Sequence, residues 1–187
     1  LSESGDDARM SGTLVLEHRR ILKEMCGPAD FERVLAALPS DVREEYENIA
    51  MLGWLRVRTA EQVFDAAGRV LNRIPADLHT EVARRSVEHT LTKLWRFVLR
   101  LASDDALISR TPIMYRKAFQ RGRLEARVVA PGNAEVQVHD WPDMPEFSTR
   151  GLRIAIETVL SLAGRKGVRL KLSHNDRGPM FTATWTP

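Results

Sequence analysis

The feature that most constrains this chain is a change in the period of its apolar residues at Gly122. From Ser11 to Gly122 apolar side chains recur every three to four positions, the spacing of one helix face; beyond it they alternate, the spacing of a half-buried strand. Helices in front and one-faced strands behind bury both apolar sets when the helices cover one side of an antiparallel sheet. The expected fold class is therefore α+β, an N-terminal helical bundle packed on a C-terminal β-β-α-β-β antiparallel sheet. The other side of that sheet is expected to be wet or covered by a partner.

A first helix is expected over Thr13 to Met25, stopped by Gly27-Pro28. A second starts with Asp30 as its cap, carries Phe31, Val34, Leu35 and Leu38 on one face, and stops at Pro39. Ser40 starts a third, Gly53-Trp54 interrupts the pattern, and Thr59 is placed to cap a fourth that ends near Asn72 to Pro75. The longest segment runs from about Pro75 to Ala102, and a further helix reaches Gln120 with a bend at Pro112. Leu124, Ala126 and Val128, then Ala134, Val136 and Val138, mark a hairpin around Pro131-Gly132-Asn133. A helix capped by Ser148 or Thr149 follows, stopped at Gly164, and strands through Val168 to Leu172 and Phe181 to Trp185 end the chain. The expected domain layout is a flexible tail or tag remnant at 1–11 and one α+β domain at 12–187, with its helical part at 12–122 and its sheet part at 123–187.

Among the 187 residues, 43% are hydrophobic, ample for a continuous core. No run approaches the roughly 20 apolar residues that span a bilayer, so membrane insertion is not expected. The single cysteine, Cys26, has no partner for an internal disulfide. A reducing, cytoplasmic location fits that composition best.

The net charge is +3, from 28 basic and 25 acidic residues dispersed along the chain. The nearest approach to a basic patch is Arg84, Arg85, Lys93, Arg96 and Arg100 on the long helix, with Arg116, Lys117, Arg121 and Arg123 after it. Nucleic-acid binders concentrate their charge, so nucleic acid is an unfavoured partner, kept only as an alternative.

Catalytic and metal signals are weak. No two of the five histidines, His18, His79, His89, His139 and His174, stand at the i, i+4 spacing that pairs ligands on a helix, and no metal site is expected. Cys26 lies at a helix C-terminus, where the dipole disfavours a thiolate. No serine sits in a G-x-S-x-G elbow. Two polar groups remain as loop candidates: His174, Asn175 and Asp176 in the last turn, and His139-Asp140 with Asp143. Trp54, His89, Trp95, Tyr115 and Trp141 are the expected lining of an apolar ligand pocket. Trp141, followed by Pro142, is expected to be exposed and, with His174 and Arg177, to contact a partner.

Gly12-Thr13, the run Phe31-Glu32-Arg33-Val34-Leu35-Ala36-Ala37-Leu38-Pro39, Gly53-Trp54, the stretch Leu-Trp-Arg-Phe-Val-Leu-Arg-Leu from Leu94 to Leu101, and Arg121-Gly122-Arg123-Leu124-Glu125 resemble a large paralogous family of myxobacterial proteins. The order of elements resembles the ligand-sensing fold that this family shares with heme nitric-oxide-binding sensors and four-vinyl-reductase domains. The resemblance runs from Ser11 to Trp185 and implies a sensing scaffold. The sequence departs from both known kinds of site. The last hairpin reads Ser173-His174-Asn175-Asp176-Arg177-Gly178-Pro179-Met180, without the cysteines that reductase-like domains often carry there. The Tyr-x-Ser-x-Arg motif by which heme sensors hold the propionates is absent, and His89 is the nearest stand-in for their axial ligand.

The expectation is a non-enzymatic sensory or adaptor module of bacterial signalling. It works through protein contacts, with an apolar ligand and a homodimer compatible with the fold. No cofactor is expected and heme draws no support from the sequence. The alternative is an enzyme of the reductase-like kind using His139, Asp140 and His174.

Overall fold

The computed structural model describes residues 8–91 and 98–186. The chain forms two compact units that divide between Ser86 and Val87.

The first unit opens with β1 (Arg9–Ser11) and α1 (Gly12–Cys26), followed by α2 (Pro28–Ala36), α3 (Ser40–Glu47), β2 (Trp54–Arg56) and α4 (Val57–Leu71). The division falls inside α5 (Pro75–Thr90). Its core is built from one face of each helix, with Val15 and Leu22 of α1, Val34 of α2, Val63 of α4 and Leu78 and Val82 of α5 fully buried. β1 and β2 form a two-stranded antiparallel sheet in which Ser11 pairs with Trp54 and Arg9 with Arg56. Strands of three residues are too short for alternation to register, which is why the sequence marks only helices here.

That small sheet explains the Gly12 and Gly53 motifs. The Gly12 amide donates to the Gly53 carbonyl at 2.8 Å, and the Ser11 hydroxyl accepts from the Leu14 amide at 3.4 Å to cap α1. A Cβ on Gly12 would stand 1.9 Å from the Ala50 carbonyl oxygen. Gly12→Ala is therefore expected to destabilise the chain by about 2 kcal/mol in urea denaturation, because the 50–53 loop must shift to admit one methyl group. Unchanged stability would contradict this joint.

Two helix starts differ from expectation. α2 begins at Pro28, which suits a first-turn position, so Asp30 lies inside the helix and pairs with Arg33 at 2.7 Å. α4 begins at Val57, ahead of the expected cap Thr59, whose buried hydroxyl instead donates to Glu45 of α3. Arg56 joins the same carboxylate at 2.8 Å. Burial pushes Glu45 up, but hydrogen bonds from Arg56 and Thr59 outweigh it and hold the carboxyl below its ordinary range.

The second unit carries α6 (Asp104–Ile108), α7 (Thr111–Ala118), β3 (Arg123–Ala130), β4 (Asn133–His139), α8 (Glu146–Leu162), β5 (Lys166–Asn175) and β6 (Gly178–Thr186). The four strands form one antiparallel sheet in the order β3-β4-β6-β5. Hairpin, helix and hairpin stand where the alternation placed them. α8 packs on β5 and β6, while α6 and α7 pack on β3. The face that carries Leu124, Val136, Val138, Phe181 and Ala183 is buried.

Corrections in this unit concern helix ends. The single helix expected to bend at Pro112 is two helices, because Pro112 takes the first turn of α7, where its missing N–H costs nothing. α8 starts at Glu146, and the expected caps Ser148 and Thr149 are buried inside it. Of the long helix expected over 75–102, α5 and the helical residues 98–101 are described; 92–97, with Trp95, Lys93 and Arg96, lie outside the described residues.

Candidate functional site

The polar residues of the alternation face outward from the second unit's sheet. Glu125 and Arg127 of β3, Glu135, Gln137 and His139 of β4 and Met180 of β6 share that face, since Glu125 is opposite Gln137, Arg127 opposite Glu135 and Gln137 opposite Met180. With Asn175 and Arg177 from the β5–β6 turn they enclose a half-open cleft of about 300 Å³.

Some of these groups are occupied with one another. Glu135 takes Arg127 at 2.7 and 3.1 Å, and the carboxylate raises the guanidinium pKa. The Gln137 side-chain amide donates to the Pro179 carbonyl at 3.2 Å and accepts from Asn175 Nδ2 at 2.7 Å. Asn175 Oδ1 in turn accepts the Arg177 amide at 3.0 Å. The clamp ties β4 to the last turn and fixes the position from which Arg177 projects.

His139 is the buried polar group of the cleft, only 4% exposed. Its Nε2 lies 3.2 Å from Glu125 Oε2, without the alignment of a hydrogen bond. The two groups that sequence reasoning put beside it do not join it. Asp140 is exposed, sits at φ 62° and pairs with Arg123 at 3.0 Å. His174 is exposed on β5 opposite Pro179. The expected trio of His139, Asp140 and His174 therefore does not face a common pocket.

The aromatic candidates divide. Trp141, expected to be exposed, is fully buried, which removes it as a surface anchor. Phe119 packs edge-on against it at 5.8 Å, and the Tyr115 ring lies 5.4 Å from Phe119. Tyr115 is buried, donates to the Arg121 carbonyl at 2.8 Å, and has its phenol pKa pushed up by burial. Two glycines let the chain pass close to Trp141: a Cβ on Gly122 would meet Trp141 Cβ at 3.3 Å, and one on Gly178 would meet the Trp141 carbonyl oxygen at 2.8 Å. Tyr115 and Trp141 are thus brought into one packed cluster. Trp54 is half-buried on β2 and His89 is exposed on α5, both away from that cluster in sequence and secondary structure.

The remaining singled-out groups take ordinary places. Burial raises the Cys26 thiol pKa. Of the basic residues, Arg85 pairs with Glu81 at 2.6 Å, Arg121 with Asp143 at 2.9 Å and Arg123 with Asp140, so three are neutralised locally. No described helix is long and apolar enough to cross a membrane.

Sequence reasoning singled out His139, Asn175 and Arg177 but missed Glu125, Arg127, Glu135, Gln137 and Met180. Their places on the outward face were readable from the alternation. That this face is concave was not, because the curvature comes from strand register and twist.

No protein-family model and no curated protein matches the sequence. Solved structures do match. The Fe(II) unliganded H-NOX protein from K. algicida is 9% identical, with 95% of this chain and 97% of that one covered at a TM-score of 0.67. An oxygen-binding H-NOX domain related to soluble guanylate cyclases, in its oxygen complex, is 16% identical over 95% of this chain and 96% of that one, at 0.64. A mutant of the T. tengcongensis H-NOX is 17% identical over 95% and 98%, at 0.63.

These matches correct the cofactor expectation. Further neighbours are named for heme redox potential and heme distortion, so heme belongs to those H-NOX neighbours. The statement that heme draws no support does not stand. Across 95% of its length this chain has an H-NOX-like α+β fold.

Proposed function

We propose that the chain is a non-enzymatic sensory module of bacterial signalling, which converts occupancy by a small ligand into altered contacts with a protein partner. The observation that carries this reading is the match to ligand-binding H-NOX domains over nearly the whole of both chains. The enzyme alternative is disfavoured by the separation of His139, Asp140 and His174 described above. The partner is a protein of the signalling assembly or a second copy of the chain.

Heme is the first ligand to test, because the neighbours carry it. Each unit, taken alone, meets its needs only in part. In the first unit His18 is a buried imidazole, held neutral by burial, with no hydrogen bond at Nδ1, which is the chemistry of an iron ligand. Its ring, however, stands edge-on to Phe64 at 6.2 Å and to His79 at 5.9 Å, with no porphyrin-sized gap between them. In the second unit His139 opens on a small charged cleft rather than a wide apolar slot. The sensing role is assigned without a heme-dependent step.

The test is capture of the partner from the source cells by the chain, before and after its small molecules are stripped. Coupling of ligand to partner is expected to change capture about fivefold or more. Equal capture in both states, or no partner in either, contradicts the reading.

A further inference from the structure

The geometry points to the outer edge of β5 as the docking site for an extended, acidic segment of a partner protein, which adds to the β3-β4-β6-β5 sheet as a fifth, antiparallel strand. This deepens the sensory reading by giving its partner a form, and it rests on that reading for there being a partner.

β5 ends the sheet and is its longest strand, with β6 on one side and α8 packed against it. Register says which of its backbone groups are left over. The Trp185 amide donates to the Gly132 carbonyl, just ahead of β4. By alternation Phe181 and Ala183 also bond toward β4, and Met180, Thr182 and Thr184 bond toward β5. Pro179, without an N–H and opposite His174, agrees with that phase. Ser173, Lys171 and Arg169, opposite those three, therefore spend their backbone groups on β6. Leu170, Leu172 and His174 turn their N–H and C=O groups outward, along an edge whose register is unbroken from Arg169 to Asn175. Such a row is a template for another strand.

Side chains select the strand. On the sheet's outward face Arg169 and Lys171 stand exposed, and no described acidic residue pairs with either. They belong to a unit whose Lys and Arg outnumber its Asp and Glu. On the other face Leu172 lies opposite the fully buried Phe181 yet is 37% exposed, so the apolar side of the sheet runs out before it is covered. A segment that alternates Asp or Glu with Val or Ile answers all three features. Its backbone meets Leu170, Leu172 and His174, its carboxylates meet Arg169 and Lys171, and its apolar side chains extend the cover over Leu172. A second copy is the poorer occupant, because β5 against β5 brings two cationic rows onto one face. Lys and Arg on an edge strand guard it against pairing of that kind, and an acidic strand is the one they admit.

The test titrates the full chain with an end-blocked peptide of about seven residues, a common strand length, in which Glu and Val alternate, and then measures amide hydrogen exchange in β5. Binding is expected to saturate and to slow exchange at Leu170, Leu172 and His174. N-methylation of the Val amides, which point at β5, is expected to weaken binding about tenfold or more, and N-methylation of the Glu amides, which point away, to change it less than about twofold. Arg169→Glu combined with Lys171→Glu, both exposed, is expected to lose about tenfold or more and to gain affinity for the same peptide with Lys in place of Glu. No binding at millimolar peptide overturns the inference. So does unchanged exchange at those three amides, indifference to N-methylation of Val, or equal affinity for a peptide of the same composition with its Glu residues consecutive. These readouts involve neither a small ligand nor a cell extract. Failure here leaves ligand-dependent capture of a partner standing, and failure of that capture leaves the peptide result standing.

Discussion

Trp141→Ala is expected to destabilise the chain by about 4 kcal/mol in urea denaturation, the upper range for removing a large buried aromatic. The indole is fully buried, with Phe119 edge-on to it and the Arg121 guanidinium 5.7 Å from its ring. The backbone around it is held in place, because the Trp141 amide donates to the Arg177 carbonyl at 3.2 Å and Gly178 passes too close to the Trp141 carbonyl to admit a Cβ. Trp141→Phe, which keeps most of the volume, is expected to lose less than half as much. A loss under about 1 kcal/mol for Trp141→Ala would mean that the side chain is exposed after all.

Acid sensitivity centred on His18 is the second large effect. Burial lowers its pKa from 6.5 to about 4, with Glu17 opposing the shift. Above pH 6.5 both the folded and the unfolded chain carry a neutral His18, and its contribution to stability is fully present. Between 6.5 and 4 the unfolded chain takes up a proton that the folded one refuses, so stability falls as pH falls; below 4 both are protonated and the loss is complete. At about 1.4 kcal/mol per pH unit the difference amounts to roughly 3 kcal/mol. Glu45 also contributes to acid lability, because its depressed pKa gives a stability that is lost as pH falls through its folded value. Comparison with His18→Leu isolates the histidine. The variant's pH curve is expected to be flatter between 6.5 and 4, and parallel curves would contradict the burial of that ring.

These two residues show where sequence reading succeeds and where it stops. The four strands and α8 were legible because each carries a long one-faced pattern, and Gly122 marks the turn from helices to sheet with a φ of 75°. The burial of Trp141 was not, because Trp-Pro-Asp beside His139-Asp140 has the polar composition of a surface loop. The groups set against the indole are Phe119 and Arg121, about twenty residues away in the chain. His18 lies among Glu17, Arg19 and Arg20, and nothing local marks it as the residue that turns inward; only the α1 helix phase, shared with Val15 and Leu22, does. The cleft was legible as a set of outward polar positions. Which of those positions pair with one another depends on cross-strand register, as for Arg127 opposite Glu135, and on contacts that skip a strand, as for Gln137 and Asn175.

The most direct test of the sensing role is native mass spectrometry of the full chain purified from the cells that make it. The expected result is a stoichiometric mass excess, either a bound small molecule, heme included, or a partner protein whose retention depends on one. A ligand-free monomer, with no partner under conditions that preserve known complexes, would contradict the assignment of this fold to sensing.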